Sequence, residues 1–199
     1  MELEKEFLGI VRNNRNLRLI LERAGELGAP NWYVGGGAVA QTVWNHAHGF
    51  LPEYGIKDYD LVYFDAGDTS YEAEDLFIQK SQKIFQGISA PLDIKNQARV
   101  HLWHKNHFGV SIKPYQSAEE AIATWPATAT SIGVRKNQDG QFKIRAPFGL
   151  NDLFAMIVRA NKIHATTRIY NEKIERWAGI WPKLKIIPYG TEDDRQAAV

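Results

Sequence analysis

Leu17, Ile20, Leu21, Ala24 and Leu27 recur at helical spacing, and Gly28 with Pro30 then supplies a stop signal. The β-prone run "NWYV" follows and delivers the chain to three consecutive glycines, Gly35, Gly36 and Gly37. Val39, Val43, Trp44 and Ala47 share one face of a second helical pattern, with Gly49 placed to cap its C-terminus. "GFLPEYGI" reads as a loop, and "KDYDLVYF" is the strongest strand pattern in the chain. Thr69 and Glu72 have capping-box spacing ahead of a helix carrying Ala73, Leu76, Phe77 and Ile84. "APLDIKN" is a shorter strand that runs into a mixed helical pattern at "QARVHLWH". "SAEEAIAT" predicts a helix that Pro126 ends, and "TSIGVRKNQDGQFKIRAP" predicts two strands around an Asp-Gly turn. "GLNDLFAMIVRANKI" predicts a helix capped at Asn151, and "YNEKIERWAGIWPKL" predicts a last amphipathic one. The elements are α+β, a mixed sheet flanked by helices, without the regular βαβ alternation of a doubly wound sheet. We expect one domain over residues 1–190 and a frayed tail over 191–199, "TEDDRQAAV".

Composition narrows the class without naming a function. The 199 residues are 44% hydrophobic and 24% charged, as in ordinary globular proteins, and the formal net charge is +1. No global field therefore draws the chain to nucleic acid or membrane. Cysteine is absent, which excludes disulfides and thiolate chemistry and suits a reducing compartment. The N-terminus lacks the apolar run of a signal peptide, and no stretch reaches the ~18 apolar residues of a membrane helix. The expectation is a cytoplasmic protein without a membrane partner.

Candidate chemistry gathers in residues 35–65, "GGGAVAQTVWNHAHGFLPEYGIKDYDLVYFD". Alternation along a strand puts Asp58 and Asp60 on one face, roughly 7 Å apart at Cα, and turns Tyr59, Leu61, Tyr63 and Asp65 to the other. Two like charges so close repel unless a cation lies between them, and Mg²⁺ or Mn²⁺ prefers carboxylate ligands. The alternative is a solvated strand start, because D-x-D is short and frequent. A glycine turn between strand and helix lets backbone N–H groups approach an anion at the helix N-terminus. It is neither a Walker A loop nor G-x-G-x-x-G, and a tight turn needing positive φ is its plain structural reading. Together, a phosphate cradle and a carboxylate pair meet the needs of metal-assisted phosphoryl transfer.

"VGGGAV…KDYDLVYFD" resembles the nucleotidyltransferase superfamily typified by DNA polymerase β. "AVAQTVWNHAHGF", "LDIKNQARVHLW", "TWPATATSIGVR", "APFGLNDLFAMIVR" and "WPKL" are similar to a bacterial nucleotidyltransferase family of unassigned substrate, from about Trp32 to Leu184. The resemblance implies a mixed sheet with a cleft over the D-x-D strand, and transfer of a nucleoside monophosphate from an NTP to an acceptor hydroxyl. The acceptor, whether small molecule, RNA or protein, is not identified by the motifs. It further implies that a third carboxylate on a neighbouring strand completes the metal site, and Asp93 matches by position. Asp58, Asp60 and Asp93 would then be the metal-binding and catalytic residues, with Gly36 and Gly37 receiving phosphate oxygens.

The chain departs from that pattern in two places. Twenty residues separate Gly37 from Asp58, so "HAHGFLPEYGI" must form an extra loop. Relatives of the tRNA-nucleotidyltransferase type place Arg and Asp where Ala40 and Gln41 stand here. Lys95 and Arg99 are the candidates to supply the missing phosphate contact, and a solvated surface cation is the alternative reading of each. A module that binds nucleotide without turnover is the alternative to an enzyme, and a nucleotide-sugar glycosyltransferase fits poorly with a glycine turn upstream of the carboxylates. His101, His104 and His107 recur every three residues, with no carboxylate or thiol at matching spacing for zinc. Trp125 beside Pro126 is either a packed hinge or a surface on which a base stacks. The cationic hairpin "RKNQDGQFKIR" is either a charged solvent-facing edge or a contact for an acidic acceptor such as RNA.

Overall fold

Asn14 divides the N-terminal apolar pattern into two helices, α1 (Glu2–Asn13) and α2 (Arg15–Leu27), because its side chain accepts the Leu17 N–H at 3.0 Å and caps the second. Gly28, at φ 75°, closes α2 in the left-handed conformation that glycine adopts freely. The chain then forms β1 (Tyr33–Gly35), α3 (Gly37–His48) and β2 (Tyr59–Tyr63). Next come α4 (Tyr71–Ile84), β3 (Leu92–Asn96), a 3₁₀ turn over Gln97–Arg99 and α5 (Val100–Phe108). α6 (Ala118–Ala123), a 3₁₀ turn over Thr128–Thr130, β4 (Gly133–Lys136) and β5 (Phe142–Arg145) follow. α7 (Asn151–Phe154), β6 (Ile157–Val158), α8 (Thr167–Ile180) and β7 (Lys185–Ile186) complete the order. This computed structural model describes residues 2–191; most of the expected tail, from residue 192 on, lies outside the described residues.

Five strands form one sheet in the order β3-β2-β1-β4-β5, and β6 pairs with β7 in a small second one. Within the larger sheet β2 and β3 are parallel, while the β1–β2, β1–β4 and β4–β5 pairs are antiparallel. The expected α+β architecture with a mixed sheet is the one found. Tyr59, Leu61 and Tyr63 turn one face of β2 into the main core, with Leu17, Ile20 and Leu27 of α2. On the opposite face, Tyr33 and Val62 join Ala118 and Ile122 of α6 in a smaller cluster. That face is left open at the strand start, where Asp58 and Asp60 lie. No helix among the described residues is long and apolar enough to cross a membrane.

Four local expectations need correction. Ser70 caps α4, accepting the Ala73 N–H at 3.2 Å, so the capping residue is one position after Thr69. The helix expected from Asn151 stops at Phe154, because Met156 turns at φ 55° and Ile157–Val158 then pair with β7. The apolar run "FAMIV" satisfies either period, and tertiary pairing decides it. The residues "HAH" extend α3 to His48, so the extra loop is shorter and begins at Gly49, at φ 70°. Asp58 precedes β2 rather than lying in it.

That extra loop is tied down by one buried side chain. Asn45 donates to the carbonyls of Pro52 (2.9 Å) and Tyr54 (2.8 Å) and accepts the Trp181 indole N–H (2.7 Å). Asn14 donates to the same Pro52 carbonyl at 3.1 Å. Asn45→Ala therefore strands the Tyr54 carbonyl and a buried indole at once, and leaves the Pro52 carbonyl to Asn14 alone. A loss of about 3 kcal/mol in unfolding free energy is expected, read from denaturant melts.

Candidate active site

The register of three strands assembles the site. Gly35 pairs with Asp60 across the antiparallel β1–β2 ladder, and Asp60 pairs with Asp93 across the parallel β2–β3 ladder. A glycine turn and two carboxylates thus meet in one row across the sheet. Asp58, Asp60 and Asp93 line one cleft together with Gly36, Gly37 and Lys95. The structure brings together six of the seven site residues expected from sequence.

Arg99 is the exception. Its guanidinium donates to Glu74 Oε1 at 2.7 Å and to the Thr69 carbonyl at 3.1 Å, and it lies over the Tyr71 ring. Both partners of the Arg99–Glu74 pair are largely buried, and neither lines the cleft. Arg99 is committed to α4, so the expectation that it contacts phosphate is withdrawn.

Gly36 has φ 69° and ψ −141°, a conformation costly for any residue with a Cβ. A Cβ there would also lie 2.9 Å from Asp60 Oδ2. The Gly36 N–H bonds the Ile132 carbonyl at 2.9 Å, and the first turn of α3 has no side-chain cap. Ala40 N–H is the first to bond back, to the Gly36 carbonyl at 3.2 Å. The N–H groups of Gly37, Ala38 and Val39 are therefore without helical partners, at the positive end of a 12-residue helix beside the cleft. Such an end attracts an anion.

The carboxylates differ in environment. Asp60 is half-buried, and its pKa is pushed up from 3.8 to about 7, chiefly by desolvation and further by Asp58 and Asp93, with Lys173 and Lys95 opposing. Asp58 is exposed at the mouth. Asp93 holds Lys95 at 2.7 Å, both partly exposed, in a pair worth roughly 0–1 kcal/mol that an incoming phosphate can divide. Asp65 does not line the cleft; its carboxylate accepts the Gly67 N–H at 2.9 Å.

A carboxyl whose pKa is higher folded than unfolded binds its proton more tightly in the native state. Its contribution to stability is full below about pH 4 and is lost as pH rises through about 7. The apo protein is accordingly expected to lose stability from Asp60 across that interval, by an amount on the order of a few kcal/mol at most. Thermal melts of wild type and Asp60→Asn from pH 4 to 8 check this, and the variant should lack that component of the slope.

Several cleft residues escaped the sequence reading. Ile169, Glu172, Lys173, Arg176 and Trp177 present one face of α8 to the cleft, at spacings of three and four residues. Lys173 favours the ionised form of Asp60, whereas Arg176 donates to the Gly55 carbonyl of the extra loop at 2.5 Å. Lys57 adds a further cation at the mouth. Gln41 is buried, and its Oε1 has no hydrogen-bond partner among the described residues. Its amide nitrogen lies 2.8 Å from where a Gly37 Cβ would project. An orphaned carboxamide over the glycine turn is an interaction that a ligand would complete. Trp125 packs on the same turn, its ring 3.0 Å from the Cβ position of Gly35.

No group of three or more His, Asp or Glu side chains among the described residues is drawn tightly enough to hold a metal by itself. Mg²⁺ is usually held by one or two carboxylates together with substrate phosphates, not by an all-protein cage. Mutually repelling carboxylates beside an anion-attracting helix end suit that mode.

A family model described as nucleotidyltransferase matches residues 22–186. The fold is similar to a solved structure described as a CCA-adding enzyme head domain, with a TM-score of 0.73 and 24% identity, covering 92% of this chain and 95% of that one. A tRNA-processing enzyme in an apo form overlaps less well, with a TM-score of 0.46 and 16% identity, over 84% of this chain and 44% of that one. No curated protein matches the chain.

Proposed function

The chain belongs to the nucleotidyltransferase family, and from that premise we propose that it moves a nucleoside monophosphate from a divalent-metal NTP to an acceptor hydroxyl, releasing pyrophosphate. The observation that carries the reading is the row Gly35, Asp60 and Asp93 across three adjacent strands, with the uncapped start of α3 at one end. The N–H groups of the α3 first turn take phosphate oxygens. Lys173 and Lys57 neutralise the triphosphate, and Lys95 leaves Asp93 to join them. Asp58 and Asp60 hold Mg²⁺ or Mn²⁺ with the phosphates, and Asp93 completes the set. When bound, the metal supplies charge neutralisation at the α-phosphate and the leaving pyrophosphate.

Asp93, released from Lys95, accepts the proton of the acceptor hydroxyl. The hydroxyl oxygen forms a bond to the α-phosphorus as the bond to the bridging oxygen breaks. Pyrophosphate leaves with that electron pair, held by the glycine turn and the cleft lysines. One domain over residues 1–190 carries these groups in the reading proposed here.

Linkage gives a test that needs no acceptor. Mg²⁺ with ATP is expected to raise the melting temperature by several degrees, and neither alone should do so fully, because the nucleotide brings the remaining metal ligands. A shift of equal size in EDTA would contradict the reading. Pyrophosphate release on adding cell extract separates an enzyme from a module that only binds nucleotide.

A further inference from the structure

The cleft extends beyond the groups used so far. In-line displacement sets the acceptor and the pyrophosphate on opposite sides of the phosphorus. The glycine turn claims the pyrophosphate side, which leaves the Asp93 side to the acceptor. From Asp93 the cleft wall continues along β3 and α5 through Lys95, Gln97 and Val100 to Trp103 and His104.

The character of the wall changes along that path. His104 and His164 have ring centroids 6.1 Å apart, and Tyr115 lies 6.1 Å from His164. Trp103 stacks beside His104 at 6.3 Å. No lysine or arginine lines the cleft along α5 beyond Lys95. The hydrogen-bonding sense is also fixed at one position. His104 Nδ1 lies 2.7 Å from the Val110 carbonyl, which can only accept, so Nδ1 carries the proton. In the neutral ring Nε2 is then an acceptor, and no hydrogen-bond partner of it is found among the described residues. Burial, with His104 nearby, holds the His164 pKa below its ordinary value, so the His164 ring suits a neutral ligand.

We propose that this arm is the acceptor subsite, and that the acceptor is a small hydroxyl-bearing molecule with a planar aromatic ring rather than a polynucleotide. The inference rests on the nucleotidyl-transfer reading of Asp58, Asp60 and Asp93. The ring of the acceptor lies against Trp103 and Tyr115, a second donor group on it meets His104 Nε2, and its hydroxyl reaches Asp93. A phosphodiester strand would need cations along its path; no lysine or arginine of α5 lines the arm past Lys95, and Arg168, at its Phe108 end, is tied to Glu172 and to the Phe108 carbonyl. The whole cleft encloses about 440 Å³, toward the lower end of the roughly 300–1,000 Å³ of ligand pockets, and it must also admit an NTP.

The test fractionates cell extract into small-molecule, RNA and protein pools and incubates each with the full chain, Mg²⁺ and α-³²P-labelled NTPs. Label is expected in a ribonuclease- and protease-resistant product of the small-molecule pool whose acceptor half, freed from the NMP by phosphodiesterase, absorbs as an aromatic ring. Trp103→Leu and His164→Ala are expected to lower that transfer about tenfold or more, while the thermal shift with Mg²⁺-ATP stays as in wild type. Apo melting temperatures of both variants establish that they are folded. Label in RNA or protein would overturn the proposal, as would transfer that ignores both substitutions. A variant that is folded but loses the Mg²⁺-ATP shift would assign the arm to the nucleobase and overturn it equally. No label in any pool, with the wild-type Mg²⁺-ATP shift intact, would overturn it too. A wild-type protein without that shift would instead sink the nucleotidyl-transfer reading beneath it.

Discussion

Asp60→Asn is expected to lower nucleotidyl transfer by about a thousandfold or more while leaving the protein folded. Asp60 sits opposite both Gly35 and Asp93, so its carboxylate is the one group adjoining the phosphate end and the acceptor end of the site. An amide of the same shape keeps the packing and removes the charge. The same change should stabilise the apo protein above about pH 7, where the wild-type carboxyl must ionise against Asp58 and Asp93. Below about pH 5 the wild-type group is already neutral, and the two proteins should melt within a degree or two of each other. Loss of activity with a gain in stability at alkaline pH is the pattern of a functional carboxylate held under strain. Melts and pyrophosphate release measured on one preparation read both.

The second large effect separates two adjacent glycines. Gly36→Ala is expected to destabilise the fold by about 3 kcal/mol and to abolish nucleotide binding. The new Cβ must occupy a left-handed backbone at φ 69° and lies 2.9 Å from Asp60 Oδ2. Gly37→Val should fold nearly as well as wild type. Gly37 is the first residue of α3, and among the described residues, apart from its chain neighbours and the helix's own backbone, its Cβ position meets within 4 Å only the movable end of Gln41. Its side chain would nevertheless press Gln41 aside and crowd the N–H groups proposed to meet phosphate, so Mg²⁺-ATP affinity should fall about tenfold or more. Calorimetric titration beside denaturant melts distinguishes the two. Equal destabilisation by both substitutions, with no separate binding defect for Gly37→Val, would reduce the turn to a structural one.

The part of this site legible in sequence was the part carried by local pattern. Strand parity put Asp58 and Asp60 on one side and Asp65 on the other, and three glycines marked a turn before a helix. Asp93 was reachable because it lies in its own short strand, although only the parallel register shows that it faces Asp60. Residues brought in by tertiary packing left no local mark. Lys173 and Arg176 come from a helix more than a hundred residues after the carboxylate strand, where a solvated amphipathic face would carry the same cations. Arg99 was misplaced for the converse reason. Its proximity in sequence to Asp93 suggested the cleft, whereas Glu74, from a different element, holds it outside the cleft lining. The short helix at Asn151 failed through ambiguity of period, since β6 exists only by pairing with β7 at the end of the described chain.

The most direct measurement compares Asp60→Asn with Asp65→Asn in Mg²⁺-dependent ATP binding and in release of labelled pyrophosphate from γ-³²P-labelled NTP. The account predicts that Asp65→Asn behaves like wild type, because that carboxylate folds back onto Gly67 outside the cleft, while Asp60→Asn loses turnover and metal-dependent binding. An inactive Asp65→Asn beside an Asp60→Asn that binds and turns over normally would contradict it.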